Sequence, residues 1–497
     1  MNSTNTSSKN PNNMKRITIT ILFLSLLVPS LKAQISLPSI IDSNMVLQRN
    51  TSVKLWGWAK KNEKIKITGS WFSQPIETKA DKNGKWIATL LTTNSKEPQT
   101  IKISDSSSEI ALTDILFGEV WLCSGQSNME RALSGGNAEP TFNGLGAIAK
   151  ANNPNLRIFT IERAHSKTPK EEFGKVQSWA SVNANNVADF SAVAYFFGSQ
   201  LQEALDVPVG LIHSSWGGSD VRAWMSEEIV RTFEDLDLNK VELKDDWEAR
   251  RVPTMLFNAM IHPIIPYTLK GTIWYQGESN RNEPERYQQL FPAMVNDWCH
   301  RWSIGNFPFY YVQIAPYDYR NPNAYKNPEN AAFIREAQLK SLDAIPNAGM
   351  AVTMDLGESF TIHPPKKKEV GDRLFYLAMN KTYGFKTIDY SGPVYASHEV
   401  KSDSLIITFK HAEKGLYSPK GLKSFEIAGE DQVFYPADAS ILNKKYVLVK
   451  SGKVSKPLAV RYGWSNWVDG SLFDTSLLPA SSFRTDDWDD ATQAANE

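Results

Sequence analysis

The spacing of apolar residues changes along the chain and predicts different kinds of structure. Up to about residue 112, apolar positions alternate with polar or small ones, as in residues 53–58 and 64–67. Alternation with a period of two is typical of strands with one buried face. Asn83-Gly84 predicts a tight turn between two such strands. We therefore predict a small β-sandwich-like domain over residues 34–112.

From residue 113 to 386, apolar runs alternate with helical stretches. Ser191 is expected to cap a helix that continues to residue 205, and residues 331–342 are expected to form another. Alternation of strands and helices over this length predicts a doubly wound parallel α/β sheet of the flavodoxin-like type. The predicted strands cover residues 115–123, 207–213, 270–275, 309–314 and 350–355.

Strand patterns return near residue 387 and predict a second β-sandwich-like domain over residues 387–490. After it, residues 491–497 are small, polar or acidic and are expected to fray. The predicted strands here cover residues 404–409, 421–427, 446–450 and 458–462.

The N-terminus has the pattern of an export signal. Met14-Lys15-Arg16 precedes an apolar run over residues 17–28, and Ala33 stands at a plausible cleavage point. The run is too short to span a bilayer comfortably. We therefore predict a signal peptide over residues 1–33, with Met14 as an alternative start, and an exported periplasmic or extracellular protein with no membrane insertion after cleavage.

Composition excludes several classes of function. The 497 residues carry 54 basic and 54 acidic side chains, so nothing in the net charge indicates a nucleic-acid partner. G-x-G-x-x-G, Walker A, H-E-x-x-H and C-x-x-C motifs are absent from the α/β region, so we expect neither cofactor nor metal. The only cysteines, Cys123 and Cys299, are too few for a disulfide framework, and whether they pair is open.

A candidate nucleophile follows the first apolar run of the α/β region. There the sequence breaks into Ser-Gly-Gln-Ser-Asn, ending at Asn128. A serine at the carboxyl end of a parallel strand can project its hydroxyl into a crevice. Ser127 is therefore either a nucleophile or a turn residue that caps the next helix.

Three later strand ends carry complementary chemistry. Gly217 and Gly218 follow the second strand and can offer a backbone N–H to an oxyanion, and Gln276 and Asn280 follow the third. His363 follows the fifth and is the kind of base that activates a serine hydroxyl.

Four motifs in one order make the pattern specific. The motifs are Gly-Gln-Ser-Asn-Met at 125–129, Trp-Tyr-Gln-Gly-Glu-Ser-Asn at 274–280, Arg-Glu-Ala-Gln at 335–338 and Ile-His-Pro at 362–364. Together they resemble the sialate O-acetylesterase family of the SGNH hydrolases, and the likeness extends to residues 258–263 and 483–488.

The resemblance implies a serine esterase that removes O-acetyl groups from carbohydrate through an acyl-enzyme, without metal or cofactor. Ser127 would be the nucleophile and His363 the base. The oxyanion donors would be the N–H of Ser127, an N–H of Gly217 or Gly218, and a side chain for which we favour Gln276 and then Asn280.

One departure from the SGNH pattern concerns the acid of the triad. The Asp expected two or three residues before the histidine is replaced by Thr361 and Phe360. Glu358 or Asp355 could be a displaced third member, or the enzyme could use a Ser–His dyad. We favour the dyad.

The motifs belong to the catalytic machinery and leave the substrate open. We favour an O-acetylated sialic acid, whose carboxylate could pair with Arg131 or Arg222. The alternatives are an acetylated plant polysaccharide such as xylan, or, with less support, a non-catalytic glycan-binding protein.

Overall fold

The structure is a computed structural model that describes residues 34–236, 238, 243, 245–319 and 331–488. The predicted signal peptide (1–33) and frayed tail (491–497) lie outside the described residues.

The N-terminal region contains six short strands, as its alternating pattern predicts. β2 pairs with β5, while β3 pairs with both β4 and β6. Gly84 lies in the predicted turn, at φ +82°. The strands are β1 (Val46–Gln48), β2 (Ser52–Trp58), β3 (Lys64–Gly69), β4 (Ile76–Lys79), β5 (Lys85–Leu91) and β6 (Gln99–Ser104).

The central sheet is built around a 17-residue strand, β7. Its strand order is β13-β12-β11-β7-β10-β8-β9, and all neighbours are parallel except β8 and β9. The strands are β7 (Glu109–Gly125), β8 (Asn152–Ile161), β9 (Val176–Asn183), β10 (Val209–Ser215), β11 (Gly271–Tyr275), β12 (Phe309–Val312) and β13 (Ala348–Ala351).

The central sheet is mixed, whereas the sequence predicted a purely parallel one. The first half of β7 pairs antiparallel with β6, and β1 pairs parallel with β7. Because β7 runs across residue 112, N-terminal strands join the same sheet. The division into domains therefore stays a prediction, and β8 and β9 are strands that the sequence did not predict.

Helices cover both faces of the parallel strands. Val120 and Leu122 face a core that includes α5 and α6, while Trp121 and Cys123 face a core that includes α3 and α7. Ser191 caps α3 through its side chain, as predicted. The helices are α1 (Ser127–Glu130), α2 (Gly144–Lys150), α3 (Ala192–Leu205), α4 (Glu227–Val230), α5 (Pro284–Trp302), α6 (Ala332–Ala344) and α7 (Lys367–Leu377).

Short 3-10 or π turns complete the helical elements. They cover Val221–Trp224, Glu248–Arg251, Phe257–Ile261, His262–Ile264, Glu278–Asn280 and Ala378–Thr382. In the described part of the chain, no helix is both long and apolar enough to cross a membrane.

The C-terminal region forms antiparallel sheets around a core of its own. The strands are β14 (Val394–Lys401), β15 (Ser404–Lys410), β16 (Leu416–Tyr417), β17 (Phe425–Ala428), β18 (Tyr435–Pro436), β19 (Asp438–Leu442), β20 (Tyr446–Lys450), β21 (Ala459–Tyr462), β22 (Phe473–Asp474) and β23 (Phe483–Arg484).

The third sequence motif joins the C-terminal region to the central sheet. Arg335 on α6 is fully buried and donates hydrogen bonds to Ser482 Oγ (3.1 Å) and the carbonyl of Gly463 (3.0 Å). Gln338 accepts from the N–H of Ile314 and donates to the carbonyl of Gln276. These motif residues therefore support the fold.

Candidate active site

The carboxyl ends of three parallel strands meet at one edge of the central sheet. Gly125 of β7 lies in register with Ser215 of β10 and Tyr275 of β11. A cavity of about 1030 Å³ opens beyond this edge, and Ser127 and His363 both line it.

A sharp turn after β7 presents Ser127 to the cavity. Gly125 has φ +140°, and a Cβ there would lie 2.2 Å from the carbonyl oxygen of Tyr275, so only glycine fits. Ser127 is the first residue of α1 and makes no side-chain cap. Its Oγ instead lies 2.8 Å from Nε2 of His363. The structure thus brings together the predicted nucleophile and base.

The other ring nitrogen of His363 faces a carboxylate that the sequence analysis did not consider. Nδ1 lies 2.9 Å from Oε2 and 3.0 Å from Oε1 of Glu139. Thr361 donates from its hydroxyl to Glu139 Oε1 (2.7 Å) and accepts from the N–H of His363 (3.1 Å). The threonine found near the expected aspartate position thus holds a glutamate from elsewhere in the chain.

Among the described residues, the two acids proposed from sequence do not meet the imidazole of His363. Asp355 forms two hydrogen bonds with Arg373, of 2.7 and 2.6 Å. Glu358 lies before the His363 turn and makes a backbone bridge with Thr361. Within the described chain, neither carboxylate is hydrogen-bonded to the imidazole. The structure therefore places Glu139, and neither Asp355 nor Glu358, at His363.

No spacing rule connects Glu139 to the histidine, because 224 residues separate them. Glu139 follows a tight loop in which Gly135, Gly136 and Asn137 all have positive φ. A backbone bridge between Gly136 and Glu139 closes the loop. The turn residues could have predicted the loop, but they could not have predicted that it folds onto His363.

Burial and two nearby cations lower the pKa of His363. Burial, together with the positive charges of Arg131 and Lys367, lowers the pKa of the imidazole to about 3. Arg131 forms an ion pair with Glu139, and its Nη2 lies 3.0 Å from Nδ1 of His363. The imidazole is therefore neutral at physiological pH, as a general base must be.

Gly217 and Gly218 adjoin the nucleophile, but one N–H is already engaged. The N–H of Gly217 donates to Oε2 of Glu130 at 2.9 Å, and Glu130 also accepts two hydrogen bonds from Arg163, of 2.6 and 2.8 Å. Gly218 has φ +72° and lies against Arg250. In this structure, a carboxylate therefore occupies the acceptor position at Gly217.

Asn280, and not the favoured Gln276, faces the cavity. Gln276 is fully buried, and its Nε2 donates to Ser219 O (3.1 Å) and Asn280 Oδ1 (2.6 Å). Asn280 Oδ1 also accepts from the N–H of Val221 (3.0 Å). Asn280 lines the cavity and Gln276 does not, and the two hydrogen bonds to the Asn280 oxygen leave its amide nitrogen as the group that can donate.

Known proteins support the family that the motifs indicated. A family model described as carbohydrate esterase, sialic acid-specific acetylesterase, matches residues 118–378, slightly more than half of the chain. The chain belongs to this family of carbohydrate esterases.

Relatives of the acetylesterase family match almost the full chain. The sialate O-acetylesterase of Mus musculus is 28% identical over 90% of this chain and 93% of its own. That of Homo sapiens is 28% identical over 86% of this chain and 87% of its own. A solved carbohydrate acetylesterase from Xanthomonas citri is 34% identical, with a TM-score of 0.82 over 91% of this chain and 100% of its own. The protein is therefore a carboxylic ester hydrolase, and its family implies an acetylated carbohydrate substrate.

The cavity of this esterase is rich in arginine. Among the described residues, six arginines line it, against four acidic residues. Arg222 pairs with Asp220 (2.8 Å) and Glu283 (2.6 Å). Arg251 is exposed, and no carboxylate among the described residues pairs with it. The arginines that line the cavity are Arg131, Arg163, Arg222, Arg250, Arg251 and Arg281.

Metal ligands and disulfides were also considered from sequence. Within the described residues, no group of three or more His, Cys, Asp or Glu side chains could hold a metal ion. Cys123 and Cys299 are buried and unpaired, which settles the open question of a bridge. A reaction without metal or cofactor stays a prediction.

Proposed function

We propose that this protein removes O-acetyl groups from carbohydrate by serine catalysis, with Ser127 as nucleophile, His363 as base and Glu139 as the acid that orients the base. The observation that carries the proposal is the line from Ser127 Oγ to His363 Nε2 (2.8 Å) and from His363 Nδ1 to Glu139 (2.9 Å). This is the arrangement of a Ser–His–carboxylate triad. The carboxylate argues against the dyad that we favoured from sequence.

The first chemical step follows from that line. Ser127 Oγ attacks the acetyl carbonyl carbon while Nε2 of His363 takes the hydroxyl proton. The tetrahedral intermediate collapses, the ester C–O bond breaks, and His363 returns the proton to the sugar oxygen. Water then attacks the acetyl-Ser127 ester by the same route and releases acetate.

Two donors are available to the developing oxyanion. The N–H of Ser127 lies at the first position of α1, where it has no acceptor within the helix. Asn280 lines the cavity, and because its oxygen already accepts two hydrogen bonds, its amide nitrogen is the group that can donate to the oxyanion. Gly217 becomes a third donor only when Glu130 turns away from its N–H. Each such donor contributes on the order of 10²-fold to turnover.

The charge of the cavity supports O-acetylated sialic acid as the substrate. The carboxylate of this sugar requires a cation, and the two arginines named from sequence, Arg131 and Arg222, already pair with protein carboxylates. Arg251 is exposed on the cavity wall without such a partner among the described residues, so we assign it to the substrate carboxylate.

A second candidate substrate is an acetylated plant polysaccharide. It is favoured by Trp247, whose side chain lines the cavity with 51% of the residue exposed. The guanidinium of Arg250 stacks 3.8 Å from the indole centroid. Exposed indole rings can support sugar rings in an extended chain.

Measurement of acetate release tests the role of Ser127 as the nucleophile. Ser127→Ala should lower turnover on the order of 10³-fold or more, because the acylating hydroxyl is lost. Ser279→Ala, a change in another serine of the same cavity, should have little effect. In wild type, rapid quenching followed by mass spectrometry should show one acetyl group on the peptide that contains Ser127. Turnover within tenfold of wild type in Ser127→Ala would remove Ser127 from the mechanism.

The substrate is decided by comparing O-acetylated sialoglycans, acetyl-xylan and acetyl-pectin at equal acetyl concentration. Arg251→Met should raise KM for the sialoglycan and leave acetyl-xylan unchanged. A preference for xylan, with no effect of Arg251→Met, would support the second candidate.

Export is proposed on the N-terminal pattern alone. The mature chain should begin near Gln34, and mass spectrometry of secreted or periplasmic protein would test this. An intact cytoplasmic chain that retains residues 14–33 would contradict it.

A further inference from the structure

A buried polar chain lies directly behind the candidate nucleophile. Asn128 donates through Nδ2 to Oε1 of Glu278 at 2.6 Å, and its Oδ1 accepts from Nζ of Lys367. Lys367 is 1% exposed, Asn128 1% and Glu278 3%. A lysine amine and a glutamate carboxyl are therefore buried and bridged by one amide, and burial lowers the pKa of Lys367 to about 7 and raises the pKa of Glu278. Such an arrangement is costly unless it is fully hydrogen-bonded, so its presence calls for an explanation.

The amide of Asn128 also reaches the loop that carries the base. Nδ2 donates a second hydrogen bond to the carbonyl of Ile362 at 3.1 Å. Asn128 is the neighbour of Ser127 in sequence, and Ile362 is the neighbour of His363. One side chain thus joins the residue after the nucleophile to the residue before the base, which lie on two separate elements.

The two charged residues determine which way the amide points. The Lys367 ammonium can only donate and the Glu278 carboxylate, when ionised, can only accept. A rotated amide would place its NH₂ group against the ammonium and its oxygen against the carboxylate, and it would lose the bond to Ile362. The Lys367–Glu278 pair therefore favours the single orientation that holds the His363 loop.

The ammonium has a second, electrostatic effect. The charges of Arg131 and Lys367 lower the pKa of His363, in addition to the effect of burial. Lys367 itself faces Asn128, Glu278, Arg131 and the ring of Tyr275, whose centroid lies 5.7 Å from Nζ. Removal of the Lys367 charge should therefore be detectable on the imidazole itself.

We propose that Asn128, oriented by Lys367 and Glu278, is a positioning residue that fixes Ser127 and His363 at their reacting distance. The inference rests on the proposed function for its meaning in catalysis. Its structural content, the tie between the two loops, can be measured without any substrate.

The experiment compares Lys367→Met with Lys368→Met, the same change at a more exposed position on the same helix that pairs with Asp372. Lys367→Met should lower kcat by ~10- to 100-fold, the cost of a misplaced catalytic group, with KM within about threefold of wild type. NMR titration of the His363 ring should give a higher imidazole pKa in Lys367→Met and no change in Lys368→Met.

A second pair of variants covers the case in which Lys367→Met does not fold. Glu278→Gln keeps an oxygen acceptor for Asn128 and should lower kcat less than Glu278→Leu does. Glu278→Leu removes the acceptor and should lower kcat about as far as Lys367→Met does. Equal kcat in these two variants, or a kcat and imidazole pKa in Lys367→Met that match the Lys368→Met control, would overturn the proposal.

The NMR measurement is repeated in a Ser127→Ala background. An imidazole shift there, together with full activity of Ser127→Ala, would mean that Lys367 acts on His363 but that the proposed function is wrong. Loss of activity in Ser127→Ala without any imidazole shift would mean that the proposed function stands and that the inference about Lys367 and Asn128 is wrong.

Discussion

Two sides of the candidate site are held in place by different interactions. On the strand side, Ser127, Gly217 and Asn280 follow β7, β10 and β11, which are locked by backbone hydrogen bonds in a buried sheet. On the loop side, Glu139 and His363 lie on loops joined by side-chain hydrogen bonds and by charge. Apart from the nucleophile Ser127 itself, substitutions that disturb the strand-side backbone should therefore act mainly on folding, and those on the loop side mainly on catalysis.

Outside the nucleophile, the largest effect on activity is expected on the loop side, from Glu139→Gln. Loss of the carboxylate removes the charge that stabilises the imidazolium and permits the wrong tautomer, which costs about 10²- to 10⁴-fold in kcat. Thermal unfolding should change little, because Glu139 is partly exposed. Steady-state kinetics on an acetylated sugar would measure this.

Glu358→Gln is the matched control, since it is the same substitution in an acid close to His363 in sequence. It should retain more than about a tenth of the wild-type turnover. Comparable activity in Glu139→Gln and Glu358→Gln would support the Ser–His dyad that we favoured from sequence.

On the strand side, Gly125→Ala should destabilise the fold. Gly125 has φ +140°, which strains any other residue, and the added Cβ would lie 2.2 Å from the carbonyl oxygen of Tyr275. Both the backbone strain and the clash with a fixed carbonyl should destabilise the variant. We expect a loss of about 3 kcal/mol or more in the free energy of unfolding. Denaturant unfolding would measure it.

Gly136→Ala tests the same backbone change on the loop side. Gly136 has φ +153°, but a Cβ there meets no atom within 4 Å. It should cost only the conformational strain, about 1–3 kcal/mol. A smaller loss from Gly125→Ala than from Gly136→Ala would contradict the idea that the strand side is the rigid one.

A third prediction concerns the pH dependence of stability and His213 on β10. Complete burial lowers the pKa of His213 to about 4, and its Nε2 has no hydrogen-bond partner among the described residues. Between pH 4 and the unfolded pKa of about 6.5, only the unfolded chain binds this proton. The stability from the neutral ring is therefore complete above about pH 6.5 and is lost as pH falls.

The slope from one such group reaches about 1.4 kcal/mol per pH unit in the free energy of unfolding. His213→Leu should reduce the slope by that amount between pH 4 and 6.5 and leave it unchanged above pH 7. An unaltered slope would mean that His213 is protonated in the fold.

The smallest effect on activity is expected from Asp355→Asn. Asp355 holds Arg373 and does not touch His363, so kcat should stay within tenfold of wild type. The lost ion pair should instead appear as a lower melting temperature. A collapse of kcat in folded Asp355→Asn would assign Asp355 a catalytic role that this geometry does not explain.

Local periodicity and motifs were enough to predict part of the fold and part of the candidate site. The five central strands, the Ser191 cap of α3 and the placement of Ser127 and His363 at one sheet edge follow from apolar spacing and from the rule that parallel strands end together. The four motifs also led to the family that the comparisons identify.

The remaining features depend on contacts between segments that are distant in sequence, and they became visible only in the folded chain. Glu139 meets His363 across 224 residues, Asn280 faces the cavity because Gln276 is held behind it, and β7 continues through the predicted domain boundary. Side-chain partners of this kind leave no period in the sequence, because hydrogen bonds between loops depend on where each loop packs and not on the spacing of residues within it.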